Sequence, residues 1–197
     1  MRRYWLAFAV VVGVSFAVLG WVGVRVYREA PPLPDRVVTT DGREIVAVGE
    51  IALGQNVWQA MGGMQVGSVW GHGSYVAPDW SADWLHREAV FILDDWSRAR
   101  RGDRYDSLAA PEQAALRAEL TAELRENTFD AATRTLSISP SRARAYAANA
   151  AHYSDVFSNG RPEYAIPRGA QAGERELKRT ERFLLLDSLG IDHAASG

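Results

Sequence analysis

The sequence predicts a mainly α protein, with one N-terminal transmembrane helix followed by a helical domain that carries a minor β-hairpin. Three observations lead to this class. Tyr4 to Val24 (YWLAFAVVVGVSFAVLGWVGV) holds no charged residue and is long enough to cross a hydrocarbon core of ~30 Å as a helix. Three later stretches repeat apolar residues every three to four positions. Only short runs alternate as strands do, two of them flanking Asp41-Gly42.

Composition narrows the function classes. At 197 residues with 47% hydrophobic and 23% charged content, the chain has room for one ordinary folded domain beside the span. The net charge of -2, with Arg98, Arg100 and Arg101 interleaved among Asp94, Asp95 and Asp103, excludes nucleic acid as a partner. With no cysteine, the chain forms no disulfide, no thiolate metal site and no thioether-linked haem.

The apolar segment reads as an anchor rather than a cleaved signal, because it exceeds a signal core of about 7 to 15 residues and no A-x-A-like site precedes Pro31 and Pro32. Arg2 and Arg3 before it place the N-terminus in the cytoplasm, although Arg25 and Arg28 beyond it reduce the asymmetry. The expected location is the inner (cytoplasmic) membrane, single-pass among the lipid, with the domain in the periplasm or outside. Residues 1–27 are then a cytoplasmic tip and anchor, and 28–36 a linker stiffened by Pro31, Pro32 and Pro34.

Residues 37–170 form the expected domain. Val37–Thr40 and Glu44–Val48 make the hairpin, and Ile51–Met61 a helix with Ile51, Val57, Trp58 and Met61 on an imperfect stripe. Glycine is too frequent from Gly62 to Pro78 for a helix, so an ordered loop pinned by aromatics is expected. Ser81 can cap the next helix, whose Trp84, Leu85, Ala89, Ile92, Leu93 and Trp96 recur until Gly102. Pro111 and Glu112 open another, with Leu116, Leu120 and Leu124 four apart. Thr133–Ser139 alternates like a short strand. Pro140 or Ser141 begins the last helix, with Tyr146, Ala150, Tyr153 and Phe157 on one face, and Asn159-Gly160 stops it.

The loop permits three roles: an imidazole offered by Gly71-His72-Gly73 to a metal or haem, a glycine backbone that closely approaches a ligand, or a packed structural turn. No second histidine stands at metal spacing; His86 and Glu88 do not face one site, and His152 and His193 are isolated. Trp80, Trp84 and Trp96 belong to the core by spacing, whereas Trp58 and Trp70 are candidates for a neighbouring domain or the membrane interface. Asp79, Asp83, Glu88, Asp94 and Asp95 are explained by helix termini and a solvated face, so no catalytic carboxylate is assigned.

The string GQNVWQAMGGMQVGSVWGHGSYVAPDWSADWLHREA, Gly54 to Ala89, resembles the N-terminal region of quinol-dependent nitric oxide reductases. NTFD at Asn127, NAAHYSDVF at Asn149 and YAIP at Tyr164 extend the resemblance to about Gly169. It implies a cytochrome-c-like domain fused to a multi-helix catalytic part that reduces two nitric oxide molecules to nitrous oxide and water. Haem b and non-haem iron belong to that catalytic part. The domain is similar to the cytochrome-c-bearing small subunit of the two-subunit enzymes, whose pattern is like C-x-x-C-H followed by G-x-G-x-Y-x-A-P. Aligned on Tyr75, that pattern puts its two cysteines and histidine on Gly63, Val66 and Gly67, so haem c attachment is lost. The resemblance further implies that the Gly73 carbonyl and the Tyr75 side chain ligate a calcium ion shared with the catalytic part.

After YAIP the family enters a second membrane helix, but here ERELKRTERFLLLDSLGIDHAASG follows, and Phe183 to Leu186 is too short to span. Residues 171–197 are therefore expected to be a divergent tail, consistent with a frameshifted or truncated frame. The function that follows is the membrane-anchored, haem-less N-terminal portion of a quinol-dependent nitric oxide reductase, inactive alone, with the catalytic multi-helix part as partner. The alternative is a stand-alone anchored periplasmic adaptor or sensor domain.

Overall fold

The computed structural model describes residues 2–28, 33–60, 67–68, 79–164 and 166. The chain divides into two compact units, one carrying the N-terminal helix and the other beginning at Leu33. In the first, α1 (Arg2–Arg28) contains an apolar segment from Arg2 to Val26 of the length and composition of a membrane span, and none of its hydropathic window is buried within the protein. An apolar surface so exposed suits lipid as its solvent.

The second unit is mostly helical around a small sheet. Strand β1 (Arg36–Thr39) pairs antiparallel with β2 (Glu44–Val46) across a turn in which Gly42 takes φ +87, a backbone state natural to glycine. The expected hairpin is therefore present, but it is half of a four-stranded sheet ordered β2-β1-β4-β3. Strand β4 (Thr135–Ile138) runs parallel to β1 with Val37 opposite Leu136 and Thr39 opposite Ile138, and pairs antiparallel with β3 (Phe129–Asp130). The β1–β4 pairing joins segments about a hundred residues apart, which no local pattern reveals. Arg134 fastens the start of the unit, donating to Asp35 at 2.9 Å and to the Leu33 carbonyl at 2.8 Å.

Helix α2 (Glu50–Ala60) buries Ile51, Gly54 and Trp58. Helix α3 (Trp80–Arg101) begins one residue before the expected cap at Ser81, because Asp79 accepts from the Ala82 N–H at 3.0 Å. It ends at Gly102, which takes φ +79 and donates its N–H to the Arg98 carbonyl at 3.0 Å. Helix α4 (Ala110–Arg125) buries Leu116 and Leu120, and α5 (Pro140–Asn159) is capped by Ser139, whose hydroxyl accepts from the Arg142 N–H at 3.1 Å.

Two apolar clusters result. One gathers Val37, Val46, Ile51, Leu136 and Ile138 with Trp58, Trp80, Trp84, Tyr153 and Phe157; the other joins Ile92, Leu93 and Trp96 of α3 to Leu116 and Leu120 of α4. The Trp96 indole donates to Ser141 at 3.0 Å, so the second cluster is also tied to α5. Trp58 lies in the core at 1% exposure, on the apolar stripe expected of its helix and not at the interface offered as an alternative, because its indole packs at 6.0 Å from Trp80 and 6.1 Å from Phe157.

Candidate functional site

Three segments read as separate motifs meet at the N-terminal half of α3. From the first come Trp80, Asp83, Trp84 and Arg87, which the 3.6-residue period places on neighbouring faces of one helix. From the second come His152 and Tyr153 on α5, and from the third Tyr164 in a single 3-10 turn at Pro162–Tyr164. That turn is closed by Arg161 and Ile166, which exchange backbone hydrogen bonds of 3.0 and 3.1 Å.

Their rings form a packed aromatic set. Trp84 stacks on Tyr153 at 5.3 Å with 6° between planes, and Trp80 stacks on Tyr164 at 5.4 Å. Trp80 also meets Tyr153 at 5.9 Å and Phe157 at 5.4 Å. Gly67 closes this set on one edge. The backbone N–H of Trp80 donates to the Ser68 carbonyl at 2.9 Å, which holds residue 67 against the indole. A Cβ at Gly67 would fall 2.7 Å from both Cδ1 and Cε2 of Trp80 and closer still to Nε1. No side chain fits there unless Trp80 moves.

Beneath the rings lies a polar centre. One carboxylate oxygen of Asp83 accepts from the Tyr153 hydroxyl at 2.6 Å, the Tyr164 hydroxyl at 2.9 Å and Arg87 Nε at 3.0 Å. Arg87 also donates to the Tyr164 oxygen at 2.6 Å, and His152 Nε2 stands 3.4 Å from that oxygen. Burial alone would raise the Asp83 carboxyl, but the donors from Tyr153, Tyr164 and Arg87 outweigh it and hold it below its ordinary value. Burial, then the hydrogen bond to Asp83, pushes both phenols up. Burial and the Arg87 charge push His152 down. At neutral pH the centre is an ionised carboxylate and guanidinium joined by neutral phenols and a neutral imidazole.

Asp83 lies in the first turn of α3, as expected of a helix-terminus acid, but its carboxylate also joins Tyr153, Tyr164 and Arg87, and His152, with no second histidine at metal spacing, stands beside the Tyr164 hydroxyl. Glu88 departs further from the solvated face expected of it. Its side chain is 3% exposed and pairs with Arg142, 8% exposed, at 2.7 Å, while Glu88 Oε2 has no hydrogen-bond partner among the described residues. Such a pair is costly to bury and more costly to break. Asp79 does serve as a helix cap, as expected, and Asp94 and Asp95 are half-buried in ion pairs with Arg98 and Arg144.

Arg87 and His152 also border an open cleft of about 470 Å³ between α3 and α5, with Val90 and Phe91 along its length. Its acids are already engaged, and among the described residues no cluster of three or more histidine or acidic side chains could hold a metal. Of the residues singled out in the glycine-rich loop, only Gly67 is described. Gly63, Val66, Gly73 and Tyr75, together with His72 and Trp70, lie outside the described residues, as does 171–197.

Among known families, the model for the cytochrome c-like domain of the NorB component of nitric oxide reductase matches residues 34–189. The match takes in the loop, all three convergent motifs and much of the segment after residue 170. No curated protein matches the chain.

Proposed function

The chain belongs to the NorB cytochrome c-like domain family of nitric oxide reductases, and from that premise we propose that it is the anchored, haem-less extracytoplasmic portion of a quinol-dependent nitric oxide reductase. The observation that carries this reading is the packing of Gly67. In a cytochrome c the corresponding position would present the axial imidazole, and two further positions would present thiols. Here the chain has no cysteine, and the Trp80 indole occupies the space that a side chain at residue 67 would need. The residues present do not fit haem c, so no electron transfer is assigned to this chain.

Its role in the reduction of two nitric oxide molecules is then structural. The domain packs on the exported face of the catalytic part, which holds haem b and non-haem iron, while α1 fixes it to the inner membrane with the N-terminus in the cytoplasm. We also assign the Gly73 carbonyl and the Tyr75 hydroxyl to a calcium ion at that junction. The assignment rests on the resemblance of GHGSYVAP and on the preference of calcium for oxygen donors.

The test is purification of the full chain from native membranes in mild detergent. We expect a multi-helix protein with haem b to accompany it, and no haem stain on the chain itself after denaturing electrophoresis. A haem-stained band at 21.7 kDa would overturn the haem-less assignment. A monodisperse chain that carries no catalytic part would overturn the reductase reading in favour of a separate adaptor. Tyr75→Phe should reduce the calcium content of the complex; unchanged calcium would remove Tyr75 from the ligand set.

A further inference from the structure

The geometry points to the cleft between α3 and α5 as a binding site for a free α-amino acid with an apolar side chain, a role separate from the one proposed above. At about 470 Å³ the cleft is of the size of small-molecule sites, which are largely apolar with a few fixed polar groups. The two helices run antiparallel, since Asp83 meets Tyr153 near one end and Asp95 meets Arg144 near the other. Arg87, Asn149 and His152 therefore line one end of the cleft, and Val90, Phe91 and Ala148 its middle.

Arg87 is a cation already held in position. A guanidinium presents its donors as two forks, and here the fork of Nε and Nη2 is taken by Asp83 at 3.0 Å and the Tyr164 oxygen at 2.6 Å. The opposite fork, from Nη1 to the second Nη2 hydrogen, has no partner among the described residues, although the side chain borders the cleft. Such a fork matches the two oxygens of a carboxylate, and little side-chain freedom is left to lose on binding.

The same end holds two acceptors. Asn149 is 4% exposed and its amide nitrogen donates to the Trp84 carbonyl at 3.2 Å, yet its Oδ1 accepts from no described residue. The Tyr164 hydroxyl spends its hydrogen on Asp83, so in the 3.4 Å contact it is His152 Nε2–H that donates to the phenol oxygen, which makes Nδ1 an acceptor. Asn149 and His152 stand three residues apart on one face of α5.

These unspent groups specify the guest. A carboxylate alone would set both acceptors against an anion, and an amine alone would face Arg87. A carboxylate with an ammonium on the next carbon serves all three groups. A hydroxyl in place of the ammonium has one hydrogen for two acceptors, so the amino acid is preferred to the hydroxy acid. Val90, Phe91 and Ala148 receive an apolar side chain. A charged one gains nothing farther along, because Asp94 and Asp95 are already paired with Arg98 and Arg144.

The experiment titrates the full chain in mild detergent with L-leucine, read by calorimetry and by the His152 ring signals in NMR. Saturable binding with a Kd on the order of 1 mM or tighter is expected from a ligand of about nine non-hydrogen atoms. The bound carboxylate should also raise the pH at which His152 titrates. Isocaproate, which lacks the ammonium, leucinamide, which lacks the carboxylate, and glycine, which lacks the side chain, should each bind at least tenfold more weakly. Val90 is 50% exposed, so Val90→Trp should obstruct the cleft, weaken leucine at least tenfold and move the melting temperature by less than about 1 °C. Arg117→Trp on α4 should leave binding unchanged. No saturable binding, isocaproate or glycine binding as well as leucine, or Val90→Trp binding like the parent would overturn the assignment. Leucic acid binding as tightly as leucine would overturn the amino-acid identity of the guest.

Discussion

Replacing Gly67 by alanine is the sharpest probe of how the interior is filled. The added Cβ would meet two carbons of the Trp80 indole at 2.7 Å and its Nε1 closer still, against an ordinary contact of about 3.5–4.0 Å, so the ring or the backbone must move by more than about 1 Å. The indole cannot swing away freely. Trp58, Tyr153, Phe157 and Tyr164 surround it with ring centroids 5.4 to 6.0 Å distant. Overpacking of this kind costs about 1–3 kcal/mol, and the depth of the overlap argues for the upper end. For a chain of this size, a loss near 3 kcal/mol lowers the melting temperature by roughly 6–12 °C.

Near-UV circular dichroism of the full chain in mild detergent would follow the tryptophans directly as the sample is warmed. Melting of Gly67→Ala within about 1 °C of the parent would refute the close packing. A second measurement isolates Trp80 as the cause. Trp80→Phe opens space and destabilises by itself, but in that background Gly67→Ala should cost less than about 1 kcal/mol, because the clash has been removed. Equal costs in the two backgrounds would assign the strain elsewhere.

The polar residues give further tests. Asp83→Asn removes the charge that serves two phenols and a guanidinium, and should destabilise by about 2–3 kcal/mol at neutral pH in urea denaturation. Because the folded carboxyl is depressed below its ordinary 3.8, its contribution is complete above about pH 4 and is lost as pH falls through the lower folded value; the variant should flatten that acid limb. His152 should titrate by NMR below its ordinary 6.5, and Asp83→Asn should move it lower still by removing a nearby negative charge. Arg142→Met leaves the Glu88 carboxylate buried without its cation and should cost about 3–5 kcal/mol; adding Glu88→Leu should restore most of the loss. Gly102→Ala forces a side chain into the left-handed region at φ +79 and should cost about 1–2 kcal/mol by the same denaturation assay.

Much of the fold is legible in the sequence because helices write their burial locally. The spacing of Trp84, Ile92, Leu93 and Trp96 identifies the buried face of α3, and Gly102 and Asn159-Gly160 mark real ends. Caps are legible to within a residue or two, since Asp79 and Ser81 are both good N-caps and only the backbone decides between them. The sheet is half visible. Alternation in Val37–Thr40 and Thr133–Ser139 suggests strands, but their parallel pairing depends on the helices between them bringing the segments together. Trp58 stays open between a core and an interface in the sequence because a tryptophan near a glycine-rich loop suits both equally well, and only the neighbouring rings decide for the core.

The site is less legible for a reason that its chemistry explains. Asp83 is separated from Tyr153 by 70 residues and from Tyr164 by 81, so two of its three hydrogen-bond donors are invisible to local pattern. Seen alone, an aspartate early in a helix is accounted for by the helix dipole, and a histidine between an alanine and a tyrosine suggests nothing. Family resemblance singles out the segments holding Asp83, Arg87, His152, Tyr153 and Tyr164 without saying why they belong together. Their shared carboxylate supplies a physical reason: α3, α5 and the Tyr164 turn are hydrogen-bonded through one oxygen atom, directly under the rings of Trp80 and Trp84. A change at any of the three segments disturbs the other two and the ring packing above them. Gly67, packed against the outer edge of Trp80, is therefore mechanically coupled to Asp83, and Gly67→Ala should alter the Tyr164 hydroxyl environment as well as the melting temperature.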